Sequence, residues 1–123
     1  MTARILILIA LAVALVACSS NTTSPESVVE AYLEAKVSAD ADTVADLICS
    51  DLESEVENEV ASFSSVEARI DNLACAPNDD NTVVACEGTI VGTYGTDERT
   101  FPLMSYNVVE EDGQWRWCGV ASE

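Results

Sequence analysis

The spacing of apolar residues changes once along this chain of 123 residues, and the change restricts the folds open to it. In the first half, Val29, Leu33 and Val37 recur every four residues, which is the spacing of an amphipathic helix. After residue 65, apolar and polar residues alternate, as in a half-buried strand. Helices followed by an antiparallel meander predict an α+β fold, with the helices packed on one face of a curved sheet.

Three helices are predicted in the first half. Ser24 and Pro25 form a helix start, because a capping hydroxyl precedes a proline whose missing N–H is harmless in the first turn. Tyr32 is expected on the inner face of this helix. A second helix is expected to begin at Asp40 or Asp42, and a third to carry an inward-facing apolar stripe. That stripe consists of Leu52, Val56, Val60 and Phe63.

Four glutamates recur at every second position of the predicted third helix. They are Glu53, Glu55, Glu57 and Glu59. Residues two apart on a helix point in different directions, so these carboxylates cannot converge on one cation. The sequence therefore predicts a solvated acidic face, and no metal site.

Turn signals near residues 77–81, 95–97 and 111–113 divide the second half into strands. The Asp-Gly pair in the last of these turns is typical of a two-residue hairpin loop. Strands are expected at 82–93, 100–109 and 114–118, with Pro102 at an edge or bulge.

Two further features of the strands can be predicted. Ala68, Ile70 and Asn72 alternate with their neighbours and are expected to share one face of the first strand. Gly88 and Gly92 interrupt a segment rich in Val, Ile and Thr, so we expect bulges or bends there.

The N-terminus has the three parts of an export signal. Arg4 precedes thirteen apolar residues, 5–17, and the sequence turns polar at Ser19. Thirteen residues are too few for a membrane-spanning helix, which needs about 20. The four residues Leu15-Val16-Ala17-Cys18 resemble the lipobox of bacterial lipoproteins, in which cleavage precedes the cysteine and diacylglycerol is attached to its sulfur.

This resemblance implies an exported protein that is anchored to a bacterial membrane by its lipid and faces the periplasm or the cell exterior. It also implies three segments along the chain. These are a signal peptide at 1–17, the lipidated Cys18 with a flexible tether at 18–24, and a single domain at 25–123.

Four cysteines follow Cys18, and an even number in an exported domain predicts two disulfides. Three connectivities exist for four cysteines. A hairpin centred on residues 80 and 81 places Cys75 opposite Cys86, which predicts that bond and leaves Cys49 to pair with Cys118. A zinc site is the alternative, but its cysteines usually lie two to four residues apart, and the closest spacing here is eleven.

Composition excludes several classes of function. The chain has 22 acidic and 5 basic residues, a net charge of −17, and no histidine. Phosphate backbones require clustered cations, so nucleic acid is excluded as a partner, and the same charge disfavours electrostatic binding to anionic lipid. Without histidine there is no Ser-His or Cys-His nucleophile. We therefore expect no catalytic set, no cofactor and no metal.

The motifs of this chain resemble those of the nuclear transport factor 2-like superfamily over residues 24–120. The motifs are Ser24-Pro25-Glu26, Val28-Val29 and Tyr32-Leu33 in the first helix, the restart at 39–42, and Asp112-Gly113-Gln114-Trp115-Arg116. The resemblance implies a cone-shaped α+β fold, similar also to cystatins, whose interior binds small apolar molecules in some members and is packed in others. Some members are isomerases with an aspartate base and a tyrosine donor.

A candidate pocket follows from this resemblance and from the strand pattern. Tyr32, on the inner face of the first helix, is a candidate for such a donor; the alternative is a core residue with its hydroxyl at the rim. Trp115 and Trp117 share one face of the last strand, so they are expected to line a pocket or cover the helix-packed side of the sheet.

We expect a non-enzymatic, lipid-anchored domain that binds a small apolar ligand or another protein of the cell envelope. One alternative is an isomerase or lyase with a buried carboxylate, and another is a cystatin-like inhibitor or immunity lipoprotein. A filled cone would favour a protein partner. An apolar cavity with an Asp or Glu near Tyr32 would favour the enzyme.

Overall fold

Residues 24–122 are described by a computed structural model, in which the first half of the chain is helical. Its elements are α1 (Pro25–Val37), α2 (Ala41–Leu47), a 3₁₀ segment (Ser50–Glu55) and α3 (Val56–Ala61). The two predicted helix starts are present. Oγ of Ser24 accepts a hydrogen bond of 3.3 Å from the backbone N–H of Ser27, and Asp40 accepts one of 3.2 Å from the N–H of Thr43. Both caps satisfy N–H groups that a helix leaves without internal partners.

The third predicted helix is broken in two. Its first part is the 3₁₀ segment, which has about three residues per turn, whereas α3 has about 3.6. The predicted stripe is therefore not continuous: Leu52, Val56 and Val60 are only half-buried, and Phe63, two residues beyond α3, is buried.

Five antiparallel strands form the second half. They are β1 (Glu67–Pro77), β2 (Val83–Tyr94), β3 (Asp97–Pro102), β4 (Ser105–Glu111) and β5 (Gln114–Val120). The sheet order is β1-β2-β4-β5, and β3 pairs with the part of β2 that extends beyond β4. Three helices on a five-stranded antiparallel sheet confirm the predicted α+β class.

The strand predicted at 100–109 is two strands in the structure. Pro102 ends β3, because a proline has no N–H for the ladder. Leu103 then turns inward and is buried, while its N–H donates to the carbonyl of Gly88 at 3.0 Å. The chain thus follows β2 through the interruption and resumes as β4 at Ser105.

A bulge in β1 changes the predicted strand face. Asn72 has a φ of 59° and lies within the register shift between Asp71 and Ala74. The extra residue moves Asn72 to solvent and turns Leu73 onto the core. Gly88 faces this bulge with a φ of 123°, and a Cβ there would lie 2.8 Å from the carbonyl oxygen of Asp71. The bulge predicted at Gly88 is therefore present, although the extra residue belongs to the opposite strand.

The main core lies between α1 and the concave face of the sheet. The inner face of α1 is almost fully buried, as its spacing predicted. The buried residues of α1 are Pro25, Val28, Val29, Tyr32, Leu33, Ala35 and Val37. Val44, Leu47 and Ile48 extend the core from α2 and its end.

Two disulfides cross-link this fold. Cys75 and Cys86 are directly paired in the β1–β2 ladder and are bonded to each other. Cys49, after α2, is bonded to Cys118 in β5. The first is the pair that the hairpin register predicted, and the second is the pair that this register left.

The N-terminal predictions lie outside the described residues. They concern the signal peptide at 1–17, the lipidation of Cys18 and most of the tether. Between residues 24 and 122, none of the helices is both long and apolar enough to cross a bilayer.

Candidate ligand-binding site

A pocket of about 470 Å³ opens between α1, α3 and one end of the sheet, and we call it the cone pocket. Its volume is within the range of small-molecule sites, which is about 300–1,000 Å³. Most of its lining side chains are apolar or aromatic. The lining residues are Tyr32, Leu33, Lys36, Glu59, Ser62, Phe63, Ile90, Tyr94, Phe101, Pro102, Met104, Tyr106, Trp117 and Val120.

Three stacked or tilted aromatic rings lie at the inner end of the cone pocket. The ring of Tyr32 stacks on Trp117 with centroids 3.8 Å apart and planes 9° from parallel. The ring of Tyr106 lies against the same indole, with centroids 6.4 Å apart and the two planes tilted by 44°. Because Tyr32 belongs to α1 and the other two to β4 and β5, the contact joins the helical and sheet layers. All three rings are at least 95% buried, so they form a rigid apolar wall.

The polar part of the cone pocket is a cluster of Tyr32, Lys36 and Glu59. The Tyr32 hydroxyl donates to Oε2 of Glu59 at 2.5 Å, and Nζ of Lys36 donates to the same oxygen at 2.8 Å. The side chains of Lys36 and Glu59 are 23% and 24% exposed, so the ion pair lies at the wall of the pocket rather than in open solvent.

The cluster lowers the pKa of Glu59, whereas the pKa of Tyr32 is raised. Burial by itself would raise the pKa of Glu59, but hydrogen bonds from Lys36 and Tyr32, with the Lys36 charge, hold that pKa below its ordinary value. Burial, and then the hydrogen bond to Glu59, raise the pKa of the Tyr32 hydroxyl far above its ordinary range. Near neutral pH the pocket therefore contains an ionised glutamate and a neutral tyrosine.

The inward position of Glu59 corrects the prediction of a wholly solvated glutamate face. Glu53, Glu55 and Glu57 are exposed, as expected, but Glu59 is not. Glu59 lies three residues after Val56 and four before Phe63, which is the spacing of the inward-facing side. The signal was present in the sequence, because the apolar stripe runs through position 59.

The rim of the cone pocket is apolar. Four large apolar side chains between residues 24 and 122 are exposed, and three of them, Phe101, Met104 and Val120, line this pocket. Phe101 also meets Phe63 edge to face, with centroids 6.1 Å apart. An exposed apolar cluster that continues into a cavity is typical of a binding site.

Two irregular features of the sheet shape this rim. Between Trp117 and Val120, β5 carries a bulge with Gly119 at a φ of 95°, so both side chains reach the same pocket. At the other side, the ring of Tyr94 lies over Gly92, where an added Cβ would be 2.9 Å from that ring. The guanidinium carbon of Arg99 lies 5.1 Å from the centroid of the Tyr94 ring. Gly92 thus marks a close approach of a side chain, and not the predicted bulge or bend.

The predicted pocket residues separate in the structure. Tyr32 and Trp117 are together in the cone pocket, whereas Trp115 packs against the core and does not line it. Trp115 is paired with Glu110, one residue from the β4–β5 turn, so it lies farther from the pocket end of the sheet. Lys36, Glu59 and the apolar rim line the pocket without having been predicted from the sequence.

A second, more polar depression of about 660 Å³ lies beside α2 and the β4–β5 turn. Glu111 there accepts hydrogen bonds from the backbone N–H and the hydroxyl of Ser50, so this carboxylate ties the 3₁₀ segment to β4. The walls of this second depression offer little apolar surface to a ligand. Across residues 24–122, no group of three or more metal-ligating side chains is found.

This fold, with a pocket open at one end of the sheet, is a cone-like α+β domain, as the resemblance predicted. Solved structures that are similar to it include the following two. A crystal structure from Xanthomonas campestris pv. campestris, of a protein provisionally named a polyketide cyclase, has a TM-score of 0.57 and 18% identity, over 80% of this chain and 92% of that chain. The solution structure of a SEC-C motif containing protein from Rhodopseudomonas palustris has a TM-score of 0.58 and 14% identity. The match covers 82% of this chain and 80% of that chain.

At these identities the likeness shows the fold alone, and a shared fold does not carry an activity with it. No protein-family model matches this chain, and no curated protein matches it. The function must therefore be argued from the cone pocket itself.

Proposed function

We propose that this protein is a lipid-anchored binding protein of the bacterial cell envelope that holds a small apolar ligand in the cone pocket. The observation that carries the proposal is an open pocket of about 470 Å³ with apolar walls, an apolar rim and a single polar cluster. Apolar surface supplies affinity in such sites, and a few polar groups fix the orientation of the ligand.

The binding function can be tested by calorimetry with 2-naphthol as the probe. We expect saturable binding with one site per chain. Met104→Glu should weaken binding at least about tenfold, because it places a charge on the apolar rim. Val109→Glu is the matched control, since Val109 is also exposed but does not line the pocket. Absence of binding, or equal effects of the two variants, would contradict the proposal.

The proposed location rests on the lipobox resemblance and is supported by the two disulfides, which persist in oxidising compartments outside the cytoplasm. We expect the mature protein to begin at Cys18, to carry fatty acyl groups and to fractionate with membranes. Intact mass spectrometry checks the modification. Cys18→Ser should abolish both the added mass and the membrane association, and an unmodified, uncleaved chain would refute the location.

A second candidate function is an enzyme that moves a proton next to a carbonyl group. It is favoured by one observation, a carboxylate in hydrogen-bond contact with Tyr32 inside an apolar pocket. Binding remains the stronger proposal, because a general base works best with a pKa near the operating pH. The pKa of Glu59 is instead lowered, and the proton of Tyr32 is already donated to it.

Deuterium exchange separates these two functions. An enzyme of this kind would speed incorporation of deuterium beside the carbonyl of a ketone such as 2-tetralone in D₂O, and Glu59→Gln would abolish the effect. A binding protein would leave the exchange rate at that of buffer.

A further inference from the structure

The ion pair in the cone pocket leaves hydrogen-bonding positions open on both of its members. Oε2 of Glu59 accepts from the Tyr32 hydroxyl and from Nζ of Lys36, whereas nothing among residues 24–122 donates to Oε1. Nζ of Lys36 donates once, to Glu59, and a lysine side chain has three N–H donors. The pair therefore offers an open acceptor and open donors side by side.

A molecule in the cone pocket can reach both kinds of position. Lys36 and Glu59 line this pocket and not the second depression, and their side chains are 23% and 24% exposed. Oε1 of Glu59 is not sealed from solvent. Between residues 24 and 122, the indole nitrogen of Trp117 is the one sealed side-chain nitrogen or oxygen that lacks a partner. The open positions of the ion pair are therefore available to a ligand.

The other polar groups of the cone pocket select less strictly. The hydroxyls of Tyr32 and Tyr106 already make hydrogen bonds within the protein. Ser62 and Tyr94 also line the pocket, but a hydroxyl both donates and accepts, so it pairs equally with a ligand alcohol or a ligand carbonyl. The carboxylate of Glu59 can only accept. Among the lining side chains, it alone requires that the ligand bring a donor.

The same ion pair disfavours a charged ligand. Lys36 and Glu59 are the charged residues that line the cone pocket, and each is already the counter-ion of the other. A charged ligand would lose its hydration without gaining an unpaired counter-ion. An anion would meet the open oxygen of Glu59, and a cation would meet the charge of Lys36 beside that oxygen. The pocket therefore favours a neutral molecule.

We propose that the ligand of the cone pocket is a neutral apolar alcohol, whose hydroxyl donates to Oε1 of Glu59 and accepts from Nζ of Lys36. One hydroxyl can make both bonds, because it is a donor and an acceptor and the two protein groups are in contact. A ketone or a hydrocarbon of the same shape would leave Oε1 unpaired in an apolar site, which is unfavourable. This inference rests on the proposed binding function and adds the chemical class of the ligand.

The test compares naphthalenes that differ in one group. The neutral ones are 1-(2-naphthyl)ethanol, 2-acetonaphthone and 2-isopropylnaphthalene, and the charged ones are 2-naphthoate and 1-(2-naphthyl)ethylamine. The protein is the chain from residue 18 onward with Cys18→Ser, which contains every helix, strand and disulfide described above and has no acyl chain to compete. Equilibrium dialysis measures each dissociation constant. We expect the alcohol to bind at least about tenfold more tightly than each of the others.

Glu59→Gln shows whether this side chain makes the choice. Lys36 and Tyr32 both donate, so they should hold the glutamine carbonyl in the place of Oε2 and turn its amide N–H groups toward the ligand. Alcohol and ketone can both accept from an amide, so we expect their dissociation constants to differ by less than about twofold. Glu57→Gln is the matched control. Glu57 is exposed on α3 and does not line the pocket, so this variant should keep the preference for the alcohol.

The comparison on the chain with Glu59 intact needs no variant of the pocket, so it holds even if Glu59→Gln fails to fold. Equal or tighter binding of the ketone, or tighter binding of either charged compound, would overturn the inference while leaving pocket binding intact. A preference for the alcohol that survives in Glu59→Gln would overturn it as well. Failure of all five compounds to bind would overturn the proposed function itself.

Discussion

Glu59 shows how one residue gives the cone pocket its polar character. Its position on α3 is one where an apolar side chain is expected, since Val56 precedes it by three residues and Phe63 follows by four. The carboxylate is stabilised there because Lys36 and Tyr32 both donate to it. The same two bonds join α3 to α1, so the cluster contributes both to stability and to the chemistry of the pocket.

Replacing Glu59 tests this dual role. Glu59→Gln keeps the shape but removes the charge, so we expect a loss of about 1–2 kcal/mol in the free energy of unfolding at neutral pH. The pKa of Glu59 is lowered in the folded state, so its stabilisation is present above the ordinary value of 4.5 and is lost as pH falls through the folded-state pKa. Urea unfolding at about pH 7 and about pH 3 measures the loss in free energy of unfolding and its dependence on pH.

The difference between Glu59→Gln and the wild type should therefore shrink in acid. Glu57→Gln is the control, because Glu57 is exposed on the same helix and should have little effect at either pH. An equal loss at both pH values would show that the charge of Glu59 does not stabilise the fold.

At the scale of elements, bulges decide which side chains face the pocket and the core. The bulge in β1 turns Leu73 inward in place of Asn72, and the bulge in β5 brings Val120 to the same pocket as Trp117. A regular strand would place residues three apart, such as Trp117 and Val120, on opposite faces. Each bulge contains a residue with positive φ, Asn72 in β1 and Gly119 in β5, and Gly88 faces the β1 bulge with a φ that favours glycine.

The β1 bulge gives a prediction at this scale. Gly88→Ala should lower the free energy of unfolding by about 2–3 kcal/mol. The new Cβ would lie 2.8 Å from the Asp71 carbonyl oxygen, and the φ of 123° is unfavourable for alanine. Gly95→Ala is a matched control: its φ is also positive, at 68°, but a Cβ there meets nothing within 4 Å, so about 1 kcal/mol is expected. Denaturant unfolding compares them, and similar losses would mean that the steric contact is unimportant.

At the scale of the whole molecule, the two disulfides act over very different distances along the chain. Cys49–Cys118 closes a separation of 69 residues and joins the helical half to the last strand, whereas Cys75–Cys86 closes 11 residues within one hairpin. Next to Cys49, the backbone also reaches β5, since the N–H of Cys49 donates to the carbonyl of Trp117 at 2.8 Å. The long-range bond therefore holds together the two layers that enclose the pocket.

Removing each disulfide in turn should reveal this difference. Loop-closure entropy predicts a loss in the free energy of unfolding for each double variant. The expected loss is about 4 kcal/mol for Cys49→Ala combined with Cys118→Ala, and about 3 kcal/mol for Cys75→Ala combined with Cys86→Ala. Calorimetric unfolding measures both. The first pair should also weaken binding of 2-naphthol more than the second, because it loosens β5 next to Trp117. A larger effect of the hairpin disulfide on both measurements would contradict this account.

The local features of the protein were determined by the sequence itself. Ser24 and Asp40 cap helices, residues 80 and 81 centre a hairpin, and the register of that hairpin pairs Cys75 with Cys86; each depends on residues close along the chain. The order of helices and strands likewise follows from the period of apolar residues, which requires no long-range contact.

Only the tertiary structure decided which side chains meet in the cone pocket. The spacing on α3 places Glu59 on the inward side, but its charge is stabilised there by Tyr32 and Lys36, more than twenty residues earlier. The interruption at Leu103 and the extra residue at Asn72 arise from pairing with β2. Trp117 lines the cone pocket, whereas Trp115, two residues earlier in β5, packs against the core. These features depend on packing between distant segments, and the free energy of that packing cannot be read from local sequence.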